Sequence, residues 1–126
     1  MKILFISLGC DKNLVDTEEM LGILQRNSDI SFTDEEEEAD VIIINTCCFV
    51  NDAKEESINT IIDMAHYRTE GKCSSLIVTG CLAQRYQSEI LKEIPEVDAV
   101  IGTASTELIL DIVEKLKKDH QKVEVY

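Results

Sequence analysis

No apolar run in this chain comes near the roughly 18 residues that a membrane-crossing helix needs, so no transmembrane segment is expected. The opening Met1-Lys2-Ile3-Leu4-Phe5-Ile6 carries one Lys and a very short apolar stretch, with Asp11 and Lys12 soon after. That pattern reads as a first buried strand, not a signal segment. Disulfide patterning is missing too: there are five cysteines, an odd number, and no two are spaced C-x-x-C. This excludes a disulfide framework and a thioredoxin-type dithiol, and it fits reduced thiols in a cytoplasmic protein. Positive charge is scarce, with 12 Lys and Arg against 25 Asp and Glu and a net charge of −13. Such a surface repels phosphate backbones, so direct nucleic-acid binding is not expected, whereas a basic partner would be attracted. Asp34, Glu35, Glu36, Glu37, Glu38 and Asp40 crowd into one stretch, read as a solvated acidic loop.

Phosphate-binding signatures are absent as well. There is no Gly-x-x-x-x-Gly-Lys-Ser/Thr and no Gly-x-Gly-x-x-Gly. A phosphatase-type loop after the first strand would need an Arg six positions beyond Cys10, where the repulsive Asp16 stands. A flavin-phosphate loop would be rich in hydroxyls and glycine, unlike Gly9-Cys10-Asp11-Lys12-Asn13.

What the sequence does contain is an alternation of apolar strands and amphipathic helices. With 126 residues, 44% of them hydrophobic, the chain is long enough for one domain with one core. Strands are expected near 2–8, 30–33, 41–46, 75–79 and 99–102, and residues 123–126 are either a last short strand or the start of a linker. Helices are expected over about 13–26, 53–67 and from Cys81 to Pro95, with a last one carrying the stripe Leu108, Ile109, Ile112, Val113 and Leu116. Thr103 and Ser105 are candidate caps for that last helix, and Asn13 and Asp16 for the first. Alternating strands and helices imply an α/β, doubly wound, flavodoxin- or Rossmann-like three-layer sandwich around a mainly parallel five-stranded sheet.

Three cysteines stand out against that pattern. Cys10, Cys47 and Cys81 each follow an apolar strand, separated by 37 and 34 residues, about one strand-helix-strand period each. In a parallel sheet, strand ends that emerge together form the edge where ligands bind. A site assembled from one thiol per strand end differs from a local zinc knuckle, whose ligands are closely spaced. Three thiols without an evident fourth ligand suit an iron–sulfur cluster with one open iron; zinc and an inert set of buried thiols remain the alternatives. Cys48 is read as a packing residue beside Cys47. Cys73, in a polar turn before its strand and remote from that edge, is read as incidental. His66 and His120 belong to no ligand-like cluster and are read as surface residues.

The segments around these cysteines resemble a known family. Ser7-Leu8-Gly9-Cys10-Asp11-Lys12-Asn13-Leu14-Val15-Asp16-Thr17-Glu18 is similar to the opening signature of the radical S-adenosylmethionine methylthiotransferases. Ile44-Asn45-Thr46-Cys47-Cys48-Phe49-Val50 with Ala53-Lys54-Glu55-Glu56-Ser57 resembles the second signature, and Gly80-Cys81-Leu82-Ala83-Gln84-Arg85-Tyr86 the third. Within the family, the Lys-Asn-Leu-Val-Asp and Ala-Lys-Glu-Glu-Ser segments look like the branch that modifies an aspartate of small-subunit ribosomal protein twelve. Cys48, where that branch usually has Gly, is a departure.

The resemblance implies that residues 1–126 form the N-terminal domain of such an enzyme, with Cys10, Cys47 and Cys81 holding a 4Fe-4S cluster with one open iron. S-adenosylmethionine and a second 4Fe-4S cluster would sit on a radical domain whose C-x-x-x-C-x-x-C pattern this chain lacks, as it lacks the C-terminal barrel. The expected partners are that radical domain and the ribosomal protein substrate, and the isolated domain would not complete the reaction. Two other readings remain: a tRNA adenosine methylthiotransferase domain, and a non-catalytic acidic module that docks a basic protein and whose cysteines are structural or bind zinc.

Overall fold

The structure is a computed structural model that describes residues 1–8, 11–26, 29–46, 51–71, 73–102, 107–118 and 122–125, of which 11–17 and 51–54 are described by their backbone alone. Its elements run β1 (Lys2–Ser7), α1 (Asp11–Gln25), β2 (Ser31–Phe32), β3 (Val41–Thr46), α2 (Asn51–Glu70), β4 (Ser75–Gly80), α3 (Cys81–Tyr86), α4 (Ser88–Glu93), β5 (Ala99–Ile101), α5 (Ile109–Lys118) and β6 (Val123–Val125). All strand pairs are parallel, in the order β2-β1-β3-β4-β5-β6. This is the doubly wound α/β arrangement expected, with six strands in place of five. The sixth was ambiguous because three residues carry too little periodicity; pairing with β5 and burial of Val123 make it a strand.

The β-branched run Val41-Ile42-Ile43-Ile44 is buried throughout, as a central parallel strand covered on both faces must be. Alternate side chains feed two cores. Ile42, Ile44, Leu76 and Val78 pack with α2, α3 and α4 on one face. Ile43 and Ile77 pack with α1 and α5 on the other. Each fully buried isoleucine contributes about 2–3 kcal/mol of hydrophobic transfer energy. On α5, Ile109, Ile112, Val113 and Leu116 are buried at the expected helical spacing. The exposed edge strand β2 is only two residues long and precedes the acidic run, a combination that discourages pairing with a foreign sheet. Most of the acidic run faces solvent, but Asp40 Oδ2 accepts the Lys2 backbone N–H at 2.8 Å and so fastens the loop to β1.

Three details differ from expectation. The helix after β4 is two short helices, broken at Gln87 (φ 47°, ψ −125°), a conformation that costs a non-glycine residue about 1–3 kcal/mol. The break lets Leu82 and Ala83 on one side of it and Ile90 on the other bury in the same layer. No Gly or Pro marks the spot, so the sequence carries no signal for it. Asn13 and Asp16 fall inside α1, which starts at Asp11, and not at the position that precedes it. Helix α2 is longer than expected at both ends. Thr103, Ser105 and His120 lie outside the described residues.

Candidate metal centre

The strand order reverses between β1 and β3, and in open parallel sheets the ligand crevice lies beyond the carboxyl ends of the strands at such a reversal. The three strands expected to present thiols are neighbours there. Ser7 pairs with Asn45, Asn45 with Thr79, and Thr46 with Gly80. In sequence, Cys47 follows Thr46 directly, Cys81 follows Gly80 directly, and Cys10 comes three residues after Ser7. Cys10, Cys47 and Cys48 lie outside the described residues; Cys81 is described. Among the described residues no group of three or more His, Cys, Asp and Glu is placed to hold a metal ion.

Local structure explains how Cys81 reaches this edge. Gly80 has φ +98°, a backbone conformation that side chains resist. A Cβ at Gly80 would meet Asn45 Oδ1 at 2.5 Å and the Thr46 backbone nitrogen at 2.7 Å, with the Thr46 carbonyl oxygen nearer still. Only glycine therefore allows β4 to end hard against β3 and turn at once into α3. Cys81 is the first residue of α3, half-buried and outside any disulfide. The Thr46 hydroxyl donates to the Thr79 carbonyl at 2.6 Å, tying the two strand ends together. Leu8 N–H donates to the Asn45 carbonyl at 2.9 Å and extends the β1–β3 ladder past Ser7.

Directly beneath the edge, Asn45 and Thr79 form a polar pair in register, both fully buried. Polar side chains replace isoleucine in β3 and valine in β4 near the ends of these core strands, where sheet interior gives way to the strand-end edge. No reasoning from the sequence singled these two out, although the switch from Ile-Ile-Ile to Asn-Thr in β3 was a visible signal. The described part of the edge fits a thiolate-bound group: register, a glycine without which the strand ends could not meet, and a half-buried cysteine.

Cys73 lies just before β4, at the end of the strand opposite the cysteine edge, and is buried. It is 3% exposed and belongs to the α2-side core, with its thiol donating to the Ser75 carbonyl at 3.0 Å. Burial pushes its pKa up, against a smaller opposing pull from backbone hydrogen bonds and Arg68. The polar letters around it concealed this, because Ser75 is buried at the start of a central strand. Beside it, Arg68 of α2 holds Asp98 through Nε to Oδ2 at 2.8 Å and Nη2 to Oδ1 at 3.3 Å. Asp98 Oδ2 also accepts the Leu76 backbone N–H at 2.8 Å. The hydrogen bond to Asp98 is the main cause of a raised Arg68 pKa. This network pins α2 to β4 and to the approach of β5; it is structural and far from the cysteine edge. His66 is exposed, as expected, and pairs with Glu70 at 3.1 Å.

Residues 2–102 match the family described as "Uncharacterized protein family UPF0004". The chain belongs to this family. As a UPF0004 member it is also similar to longer proteins. It is 60% identical over 116 residues to a protein of Lachnoclostridium phytofermentans named ribosomal protein uS12 methylthiotransferase RimO, covering 92% of this chain and 26% of that protein. Proteins of the same name from Acetivibrio thermocellus and Caldicellulosiruptor saccharolyticus are 57% identical over 114 residues and 50% identical over 126 residues. They cover 90% and 100% of this chain, and 25% and 28% of their own lengths. The chain thus spans about a quarter of the length of the relatives it matches.

Proposed function

We infer that this chain is the thiolate-bearing N-terminal domain, residues 1–126, of a methylthiotransferase, and that Cys10, Cys47 and Cys81 together hold a 4Fe-4S cluster with one open iron. The observation that carries this is the register of three neighbouring parallel strands, Ser7 with Asn45 and Asn45 with Thr79, each followed in sequence by one of the three cysteines. When bound, such a cluster supplies an open iron to which an exogenous sulfur or methylthio group can attach. The chain's own part is positioning: Gly80 brings the β3 and β4 ends together, and Asn45 and Thr79 give the edge a buried polar floor.

Relatives named for ribosomal protein uS12 support that protein as the substrate, and the resemblance of the Lys-Asn-Leu-Val-Asp and Ala-Lys-Glu-Glu-Ser segments points to an aspartate in it. S-adenosylmethionine and a second cluster belong to a radical domain outside this chain, which is a partner of this one. A cytoplasmic location follows from a ribosomal substrate; no helix among the described residues is long and apolar enough to cross a membrane. The test is anaerobic reconstitution with iron and sulfide. Uptake of about four irons per chain is expected, with loss in Cys10→Ala, Cys47→Ala and Cys81→Ala. Cys73→Ala, at the far end of β4, should load normally. Full uptake in all three single variants, or tight binding of one zinc in place of iron, overturns the cluster.

A further inference from the structure

A pronounced concavity lies on the α2 face of the sheet. It is a groove of about 830 Å³ between α2 and the α3–α4 pair. Ile58, Ile62 and Ala65 form one wall, and Leu82, Ile90 and Ile94 the other. It runs along α2 from Ile58 to Thr69, roughly 16 Å at 1.5 Å per residue, the length of about three turns of a docked helix. Ile62 is 52% exposed, one of two large hydrophobic side chains so exposed among the described residues. Its aliphatic side chain, left in water beside the apolar trough, extends the apolar face that the groove presents.

The charges select what covers it. Glu89, Glu93 and Glu96 line the α4 side, and among the described residues no Lys or Arg lines the groove, while His66 on the α2 side is paired with Glu70. Among the described residues, Arg68 is bound to Asp98, Lys92 is on α4 outside the lining, and Arg85 stands 5.6 Å from the ring centre of Tyr86, a residue of the groove wall. A second copy of a chain carrying −13 would meet like charge, and an anionic lipid or nucleic acid would be repelled.

We propose that this groove binds a cationic amphipathic helix of a partner protein, its apolar face on the isoleucines and its Lys or Arg residues against Glu89, Glu93 and Glu96. This is the helix-in-groove mode, with apolar anchors setting affinity and rim charges setting choice of partner. It does not depend on the cysteines. Leu82, at the upper end of the groove, directly follows Cys81, so a helix seated there ends beside the cysteine edge.

The test is fluorescence anisotropy with a labelled synthetic helix of about 14 residues, Leu on one face and Lys on the other. Its controls are the same peptide with Glu for Lys and a scrambled Lys/Leu sequence. The Lys/Leu helix should bind at least tenfold tighter than either control and weaken at least threefold between about 0.05 and 0.5 M salt. Replacing Glu89, Glu93 and Glu96 together by Gln should weaken it about tenfold and flatten the salt dependence. Ile62→Asp, checked for fold by circular dichroism, should weaken it about tenfold. Equal binding of the Lys and Glu helices overturns the proposal. So does full affinity in Ile62→Asp, which would mean diffuse attraction outside the groove, or self-association of the chain that the peptide does not compete away. Alanine at all three of Cys10, Cys47 and Cys81 should leave peptide affinity unchanged, so failure of iron loading and failure of the groove are separate results.

Discussion

The two ends of β4 hold the same side chain in opposite conditions. Cys73, two residues before the strand, is sealed in the core with a thiol whose ionisation burial opposes. Cys81, directly after the strand, is half-buried at the start of a helix, beside a glycine that gives up its side chain so that two strands can meet. One end is closed by Arg68 and Asp98, while the other lies at the reversal of strand order, where a parallel sheet opens. A cysteine's chemistry is thus set by the end of the strand it occupies, not by its neighbours in sequence.

The most severe way to break this contrast is Gly80→Ala. Strain at φ +98° and overlap with β3 should together cost about 4 kcal/mol, measured by urea unfolding. Next is Asp98→Ala at the closed end. It strands the Arg68 guanidinium and the Leu76 N–H, and should cost about 3 kcal/mol in the same assay. A loss under 1 kcal/mol in either would show that the end concerned is not held as described.

Gln87→Gly removes the strain between α3 and α4 and should stabilise the chain by about 1 kcal/mol, seen as a higher urea midpoint with unchanged slope. The smallest effect separates the thiols themselves. In the native chain, iodoacetamide followed by peptide mass mapping should label Cys81 well before Cys73. Because the folded Cys73 pKa lies above its ordinary 9.0, the unfolded thiol loses its proton first as pH rises. Its contribution to stability is therefore intact below pH 9 and declines above it, and Cys73→Ala should lose that part of the alkaline decline.

Much of the fold was legible, for a physical reason. Central parallel strands are buried on both faces, so Val41-Ile42-Ile43-Ile44 announces itself by composition, and the α5 stripe by spacing. The break at Gln87 was not legible, because it serves the burial of Leu82, Ala83 and Ile90 against a sheet built from distant residues. The burial of Cys73 was not legible for the same reason: its polar neighbours say nothing of the α2 face that closes over it. The groove, too, belongs to no single motif, since its walls come from helices separated by a strand.

By itself, the sequence determined the alternation of elements, the acidic surface and which cysteines stand at strand ends, because periodicity, charge and spacing are local properties of a chain. Only the tertiary structure decided that β1, β3 and β4 are neighbours in register, that Gly80 lies against Thr46, that Cys73 is sealed, and that an acidic apolar groove lies between α2 and the α3–α4 pair. Those are contacts between residues tens of positions apart, and they exist only once burial of two cores has paid the entropy of bringing them together.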